Sequence, residues 1–113
     1  MRKLPDRGDL VWVNCTSQAG HEQAGHRPAL VLSPQIYHER SKLAVVCPIT
    51  SNTDPWPWKV DLPAGLAISG AVLVDQVRAI DRLGRSLRIA GRTPHTVVAD
   101  VQAKLAALLG IAG

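Results

Sequence analysis

The sequence predicts a mainly β domain, a small barrel or sandwich, with one amphipathic helix at its C-terminal end. Two observations carry this. Five or six short runs of β-forming residues are separated by glycine, proline and polar turns. Beyond residue 92 the period becomes helical, with Val97, Val101, Leu105 and Leu108 at spacings of four, four and three. The 113 residues make one domain spanning 1–113, long enough to bury roughly 65% of its unfolded surface.

The elements follow in order. Gly8-Asp9 opens the run Leu10-Val11-Trp12-Val13-Asn14-Cys15. A polar, glycine-bounded loop, Thr16 to His26, has too few apolar residues to pack. Pro28 starts Ala29-Leu30-Val31-Leu32, closed by Ser33-Pro34, and Leu43 to Cys47 ends at Pro48. Trp58 to Leu62 alternates. Gly70 to Val74, continued by Val77 and Ile80, reads as a long central strand, and Ser86 to Ile89 as the last one. Thr93 is the expected helix N-cap, Pro94 the first helical residue and Gly110 the stop.

With 46% apolar and 19% charged residues, the composition excludes a disordered chain. No uninterrupted apolar run exceeds the five residues of Leu43–Cys47, against the roughly 18 that a membrane span needs. Met1-Arg2-Lys3-Leu4-Pro5-Asp6 lacks the apolar core of a signal peptide, so a soluble, cytoplasmic protein is expected. Cys15 and Cys47 lie in apolar strand-like runs without metal-ligand spacing, and buried reduced thiols are expected. The net charge of +4 is uneven: Arg78, Arg82, Arg85, Arg88 and Arg92 fall within fifteen residues that contain a single acid, Asp81. Such a basic face attracts polyanions, RNA or DNA being the usual ones, and otherwise forms a solvated rim.

A hairpin of Ala29–Ser33 with Leu43–Cys47 about a loop near residue 38 sets Arg27 opposite residue 49, and so at the same end as Thr50. The loop carrying His21, Glu22 and His26 feeds into that end. A guanidinium, a hydroxyl, a carboxylate and an imidazole can together cleave RNA without a metal. Attack of the 2′-hydroxyl on the neighbouring phosphorus needs a proton acceptor, a proton donor and a cation for the developing phosphorane charge. Arg27 stays ionised and matches phosphate oxygens with its fork of donors. Thr50 can donate to a non-bridging oxygen. His21 titrates near neutrality, and Glu22 is a second proton acceptor. Taken singly, each is equally an ordinary strand-end or loop residue. Asp75 interrupts an apolar run and either orients a catalytic group or shapes a turn. Pro55-Trp56-Pro57-Trp58 holds two indoles on a stiff segment, where they can stack on unpaired bases or cap the core.

Three blocks in this order resemble the MazF/PemK family of toxin endoribonucleases. They are Gly8-Asp9-Leu10-Val11-Trp12-Val13 with Glu22-Gln23-Ala24-Gly25-His26-Arg27-Pro28, then Pro48-Ile49-Thr50, then Asp75-Gln76-Val77-Arg78-Ala79-Ile80-Asp81. The similarity runs from about residue 6 to residue 109. It implies an SH3-like barrel with helices, working as a homodimer. It also implies metal-independent, cofactor-free cutting of single-stranded mRNA at short sequences, and inhibition by a cognate antitoxin. Carried over, Arg27 and Thr50 are the matched catalytic pair and Glu22 a required loop acid. His21 and Asp75 match two members of the His–Arg–Asp set of the PemK branch, whose third member falls at Leu73 here. That departure favours Arg27 and Thr50 as the core of the site. Trp56, Trp58, Gln76, Arg78, Arg82 and Arg85 are the expected RNA contacts. The loop between Cys15 and Arg27 is expected to close over RNA and to be contested by the antitoxin. Two rivals remain. One is a gyrase-poisoning toxin of the same fold, which would need a C-terminal Trp-Gly-Ile where this chain has Gly110-Ile111-Ala112-Gly113. The other is a member that binds RNA or antitoxin without cutting.

Overall fold

The central strands are apolar on both faces, so the sheet they form requires cover on each side. The computed structural model describes residues 4–14 and 25–111. His21, Glu22 and Cys15 lie outside them. In β1 (Asp9–Asn14) Leu10 and Trp12 point to one side, and Val11 and Val13 to the other. The same division runs through β2 (His26–Val31) and β3 (Leu43–Thr50). One core joins Leu10, Leu30, Cys47 and Ile49 to Val60, Val72, Val97 and Val101. The other joins Val11, Val13, Ala29, Val31, Ala44, Val46 and Ile80, with Leu87 and Ile89 packed against it.

The remaining strands are β4 (Lys59–Asp61), β5 (Ala71–Leu73), β6 (Arg78–Asp81) and β7 (Arg88–Arg92). All pairings are antiparallel, in the order β4-β5-β3-β2-β1-β7, with β6 also on β3. Strand β3 organises the sheet. Its first half pairs with β6 and its last two residues with β5, while β2 lies along its other edge. No pairing among the described residues joins β4 to β7, so the sheet is curved but not closed into a continuous barrel. The expected long strand from Gly70 to Ile80 is two strands. A 3-10 turn at Val74–Gln76 separates them and moves the chain from one core to the other, with Val72 and Val74 in the first and Ile80 in the second.

Between β2 and β3 lies a four-residue helix, α1 (Gln35–His38). It is anchored by its buried imidazole: His38 Nδ1 lies 2.8 Å from the Pro5 carbonyl and Nε2 lies 2.7 Å from Ser33 Oγ. The carbonyl can only accept, so Nδ1 carries a proton and donates to it, while Nε2 and the serine hydroxyl share the second hydrogen bond. Ser33 Oγ in turn accepts the Val45 amide at 2.8 Å, which ties the turn to β3.

Helix α2 (His95–Leu109) packs Val97 and Val101 onto the sheet. Its start is one residue later than expected. Pro94 has ψ 147°, outside the helical range, and its carbonyl accepts the Val97 amide at 3.0 Å, so it takes the N-cap position. Thr93 is instead held by its own amide, which donates to the Gly8 carbonyl at 2.9 Å. Gly110 ends the helix as expected. Its φ of 75° is cheap for glycine, and it allows Ile111 to donate to Ala106 O at 2.8 Å.

Candidate active site

Strands β2 and β3 set the site. Their register pairs Ala29 with Pro48, Leu30 with Cys47 and Val31 with Val46. Continued by two residues, it sets Arg27 across from Thr50, one position from the Ile49 expected. The connecting turn carries α1 and is not a symmetric loop about residue 38. Residues directly opposite in an antiparallel pair share a face, and Arg27 and Thr50 both line one groove of about 930 Å³.

Each wall of the groove has a local cause. Thr50 Oγ1 accepts the Asn52 amide at 3.0 Å, which fixes the hydroxyl and leaves its proton free to donate. Behind Thr50 the chain returns through Gly70, at φ +129°, where a Cβ would stand 2.3 Å from the Thr50 carbonyl oxygen. Only glycine permits that approach. Gln76 and Arg78 enter from the 3-10 turn and the start of β6, and Arg85 from the β6–β7 turn. That turn is capped by Asp81, whose Oδ1 accepts the amides of Leu83 at 3.1 Å and Gly84 at 3.0 Å. The Gly84 amide foremost holds the Asp81 carboxyl below its ordinary range. The Arg85 amide donates to Asp81 O, and Arg85 O accepts from Asn14, both at 2.9 Å, locking the turn against β1.

Three arginines, Arg27, Arg78 and Arg85, together with His26, line the groove, and no carboxylate does among the described residues. One sign of charge in a concave wall focuses an anion-attracting field. No group of three or more His, Cys, Asp or Glu that could hold a metal occurs among the described residues.

Several expected site residues stand elsewhere. Asp75 lies on the 3-10 turn, not in mid-strand. It is exposed, does not line the groove, and accepts the Trp56 indole N–H at 3.1 Å. Arg82 turns away: its Nη2 donates to His38 O at 2.8 Å and Ser41 O at 3.2 Å. Trp58 is half-buried against the first core, whereas Trp56 is 48% exposed. Cys47 is buried, as expected. Burial, and then the Asp75 charge, push its thiol up to about 12, so it stays protonated. Sequence reasoning did not single out Trp12 or Ser69 for the groove, though both line it. Gly70 was the available signal for Ser69, since a glycine breaking an apolar strand often marks a close backbone approach.

A sheet not closed into a barrel and packed on α2, with a groove that carries three arginines and, among the described residues, no carboxylate, beside a hydroxyl fixed by the Asn52 amide, suits a phosphate-bearing polyanion. The family described as PemK-like, MazF-like toxin of type II toxin-antitoxin system matches residues 6–109. The endoribonuclease toxin MazF of Escherichia coli strain K12 is 37% identical over 109 residues, covering 96% of this chain and 97% of that protein. The endoribonuclease PemK of Escherichia coli is 33% identical, covering 92% of this chain and 81% of that protein. The crystal structure of MazE-MazF from Deinococcus radiodurans (Form-II) has a TM-score of 0.93 at 47% identity, covering 98% of this chain and 100% of that one. The chain belongs to the PemK-like, MazF-like toxin family of type II toxin–antitoxin systems.

Proposed function

We propose that the chain is a toxin endoribonuclease, an mRNA interferase that cuts single-stranded mRNA at a short sequence without a metal ion or cofactor. The observation that supports this reading is the β2–β3 register: its continuation brings Arg27 and Thr50 to the same end of the pair, and both line one basic groove. In the reaction, the 2′-oxygen bonds to phosphorus as its proton leaves, and the bond from phosphorus to the 5′-oxygen breaks as that oxygen gains a proton. The products are a 2′,3′-cyclic phosphate and a 5′-hydroxyl. Arg27 neutralises the phosphorane oxygens and Thr50 donates to one of them. Glu22 and His21 of the preceding loop are the groups assigned the proton transfers. Gln76, Arg78 and Arg85 hold the strand along the groove, and Trp56 stacks on an unpaired base.

The protein acts in the cytoplasm as a homodimer under a cognate antitoxin that competes with RNA for the groove and for the 16–26 loop. The MazE–MazF crystal structure from Deinococcus radiodurans supports the antitoxin partner. No helix among the described residues is long and apolar enough to cross a membrane. The test is incubation of the purified protein with a long single-stranded RNA in EDTA, followed by mapping of the fragment ends. Discrete cuts ending in 2′,3′-cyclic phosphate are expected. Intact RNA across several unrelated sequences, or 3′-hydroxyl ends, would overturn the reading.

A further inference from the structure

The 51–57 segment is an exposed connection, yet it is held at several points. Asp54 donates its amide to Asn52 Oδ1 at 2.6 Å. Lys59 Nζ reaches the carbonyls of Asn52, at 2.9 Å, and Asp54. Lys104, from α2, donates to the Pro57 carbonyl at 2.6 Å. Pro55 and Pro57 restrict the backbone on either side of Trp56. All this order presents a large apolar ring to solvent. One polar contact sets the ring's direction: the indole N–H donates to Asp75 Oδ2 at 3.1 Å. Asp75 precedes Gln76, which lines the Arg27–Thr50 groove, so the indole is tied to the same 3-10 turn that supplies a groove residue.

We propose that Asp75 is a positioning residue that fixes the Trp56 indole as a stacking platform for an unpaired nucleobase of the RNA. The proposal rests on the endoribonuclease reading above. It gives Asp75 a role that needs no proton transfer, in keeping with its place outside the groove. A flat ring held at one angle stacks without first losing rotational freedom, and stacking accepts any base, so the platform supplies binding. Removing its anchor therefore raises KM and leaves kcat nearly unchanged.

The test compares Asp75→Ala, Asp75→Asn, Trp56→Phe and the double variant Trp56→Phe/Asp75→Ala on an unstructured RNA carrying the mapped cut site. Asp75→Ala is expected to raise KM about fivefold, the scale of one lost hydrogen bond. Asp75→Asn keeps an oxygen that accepts the indole N–H, so it should restore KM within about twofold with an unchanged pH profile. Phenylalanine has no N–H to donate, so Asp75→Ala should add nothing in the Trp56→Phe background. A kcat loss in Asp75→Asn as large as in Asp75→Ala, with an altered pH profile, would make Asp75 a proton carrier and overturn the proposal. Full additivity in the double variant, or weakened binding of the antitoxin with RNA kinetics untouched, would overturn it as well. Absence of cutting by the wild-type protein is the separate failure of the endoribonuclease reading. In that case the part of the tryptophan quenching by the same RNA that Trp56→Phe removes, weakened about fivefold in Asp75→Ala and kept in Asp75→Asn, decides the proposal by itself.

Discussion

Gly70→Ala isolates the link between backbone packing and the Thr50 hydroxyl proposed as a donor to the phosphorane. The new Cβ would lie 2.3 Å from the Thr50 carbonyl oxygen and 3.2 Å from Ile49 Cγ2. The first contact is with backbone, so Thr50 has to retreat until the separation exceeds 3.0 Å. Two costs add. The positive φ of +129° is unfavourable for alanine by about 1–2 kcal/mol, and moving a paired strand costs about as much again. Gly65→Ala is the control, because Gly65 also has positive φ, +92°, but nothing within 4 Å of a Cβ. Gly65→Ala should lose about 1–2 kcal/mol, or about 4–8 °C of Tm per kcal/mol, with full activity. Gly70→Ala should lose more stability. It should also lower kcat/KM by about ten- to a hundredfold, since a reacting group misplaced by about 1 Å can cost that much. Thermal denaturation and initial cleavage rates read the two effects separately. Gly70→Ala cutting RNA as fast as Gly65→Ala would refute the claim that Thr50's placement limits the chemistry.

Two further predictions follow from the buried groups. Asp9 is fully buried and accepts from Arg92 Nη1 at 2.8 Å, across the β1–β7 pair. Arg92→Ala should cost about 1–3 kcal/mol in urea denaturation, a value discounted because the arginine is half exposed. In a Cys15→Ser background, Cys47 should resist a thiol reagent at pH 8 and react fully once the chain is unfolded. Its folded pKa, about 12, is raised above the ordinary 9.0. The associated stability is therefore present below pH 9 and is lost as pH rises toward 12. Rapid native labelling at pH 8 would contradict this.

The presence of the strands, the helix stripe and the Gly110 stop were legible because each rests on local chemistry: alternation, period and a left-handed cap. The strand ends were not: β2 begins at His26, before Pro28, β3 runs through Pro48 to Thr50, and the last strand is Arg88–Arg92, not Ser86–Ile89. The approach of Arg27 to Thr50 was legible too, through hairpin counting, and the one-residue error came from α1 in the turn. The break at Asp75-Gln76 was not legible. Val72, Val74 and Ile80 alternate as one strand would, and only tertiary pairing along both halves of β3 shows that they serve two cores. Nor did sequence spacing join Asp75 to Trp56. Their contact spans 19 residues and depends on how β4 and β5 pair. Arg82 shows the same limit in reverse, for a basic run cannot tell which guanidinium turns back to cap carbonyls of its own chain.

The central claim is that Arg27 and Thr50 act together on the phosphorane. Single-turnover cleavage of a single-stranded RNA in EDTA, by wild type, Arg27→Ala, Thr50→Val and the double variant, tests it most directly. Arg27→Ala should lose about 2–4 kcal/mol of transition-state stabilisation, a rate loss of about 30- to 1,000-fold. Thr50→Val should lose less, and the double variant should fall short of the product of the two. Wild-type rates in purified, folded Arg27→Ala would contradict the account.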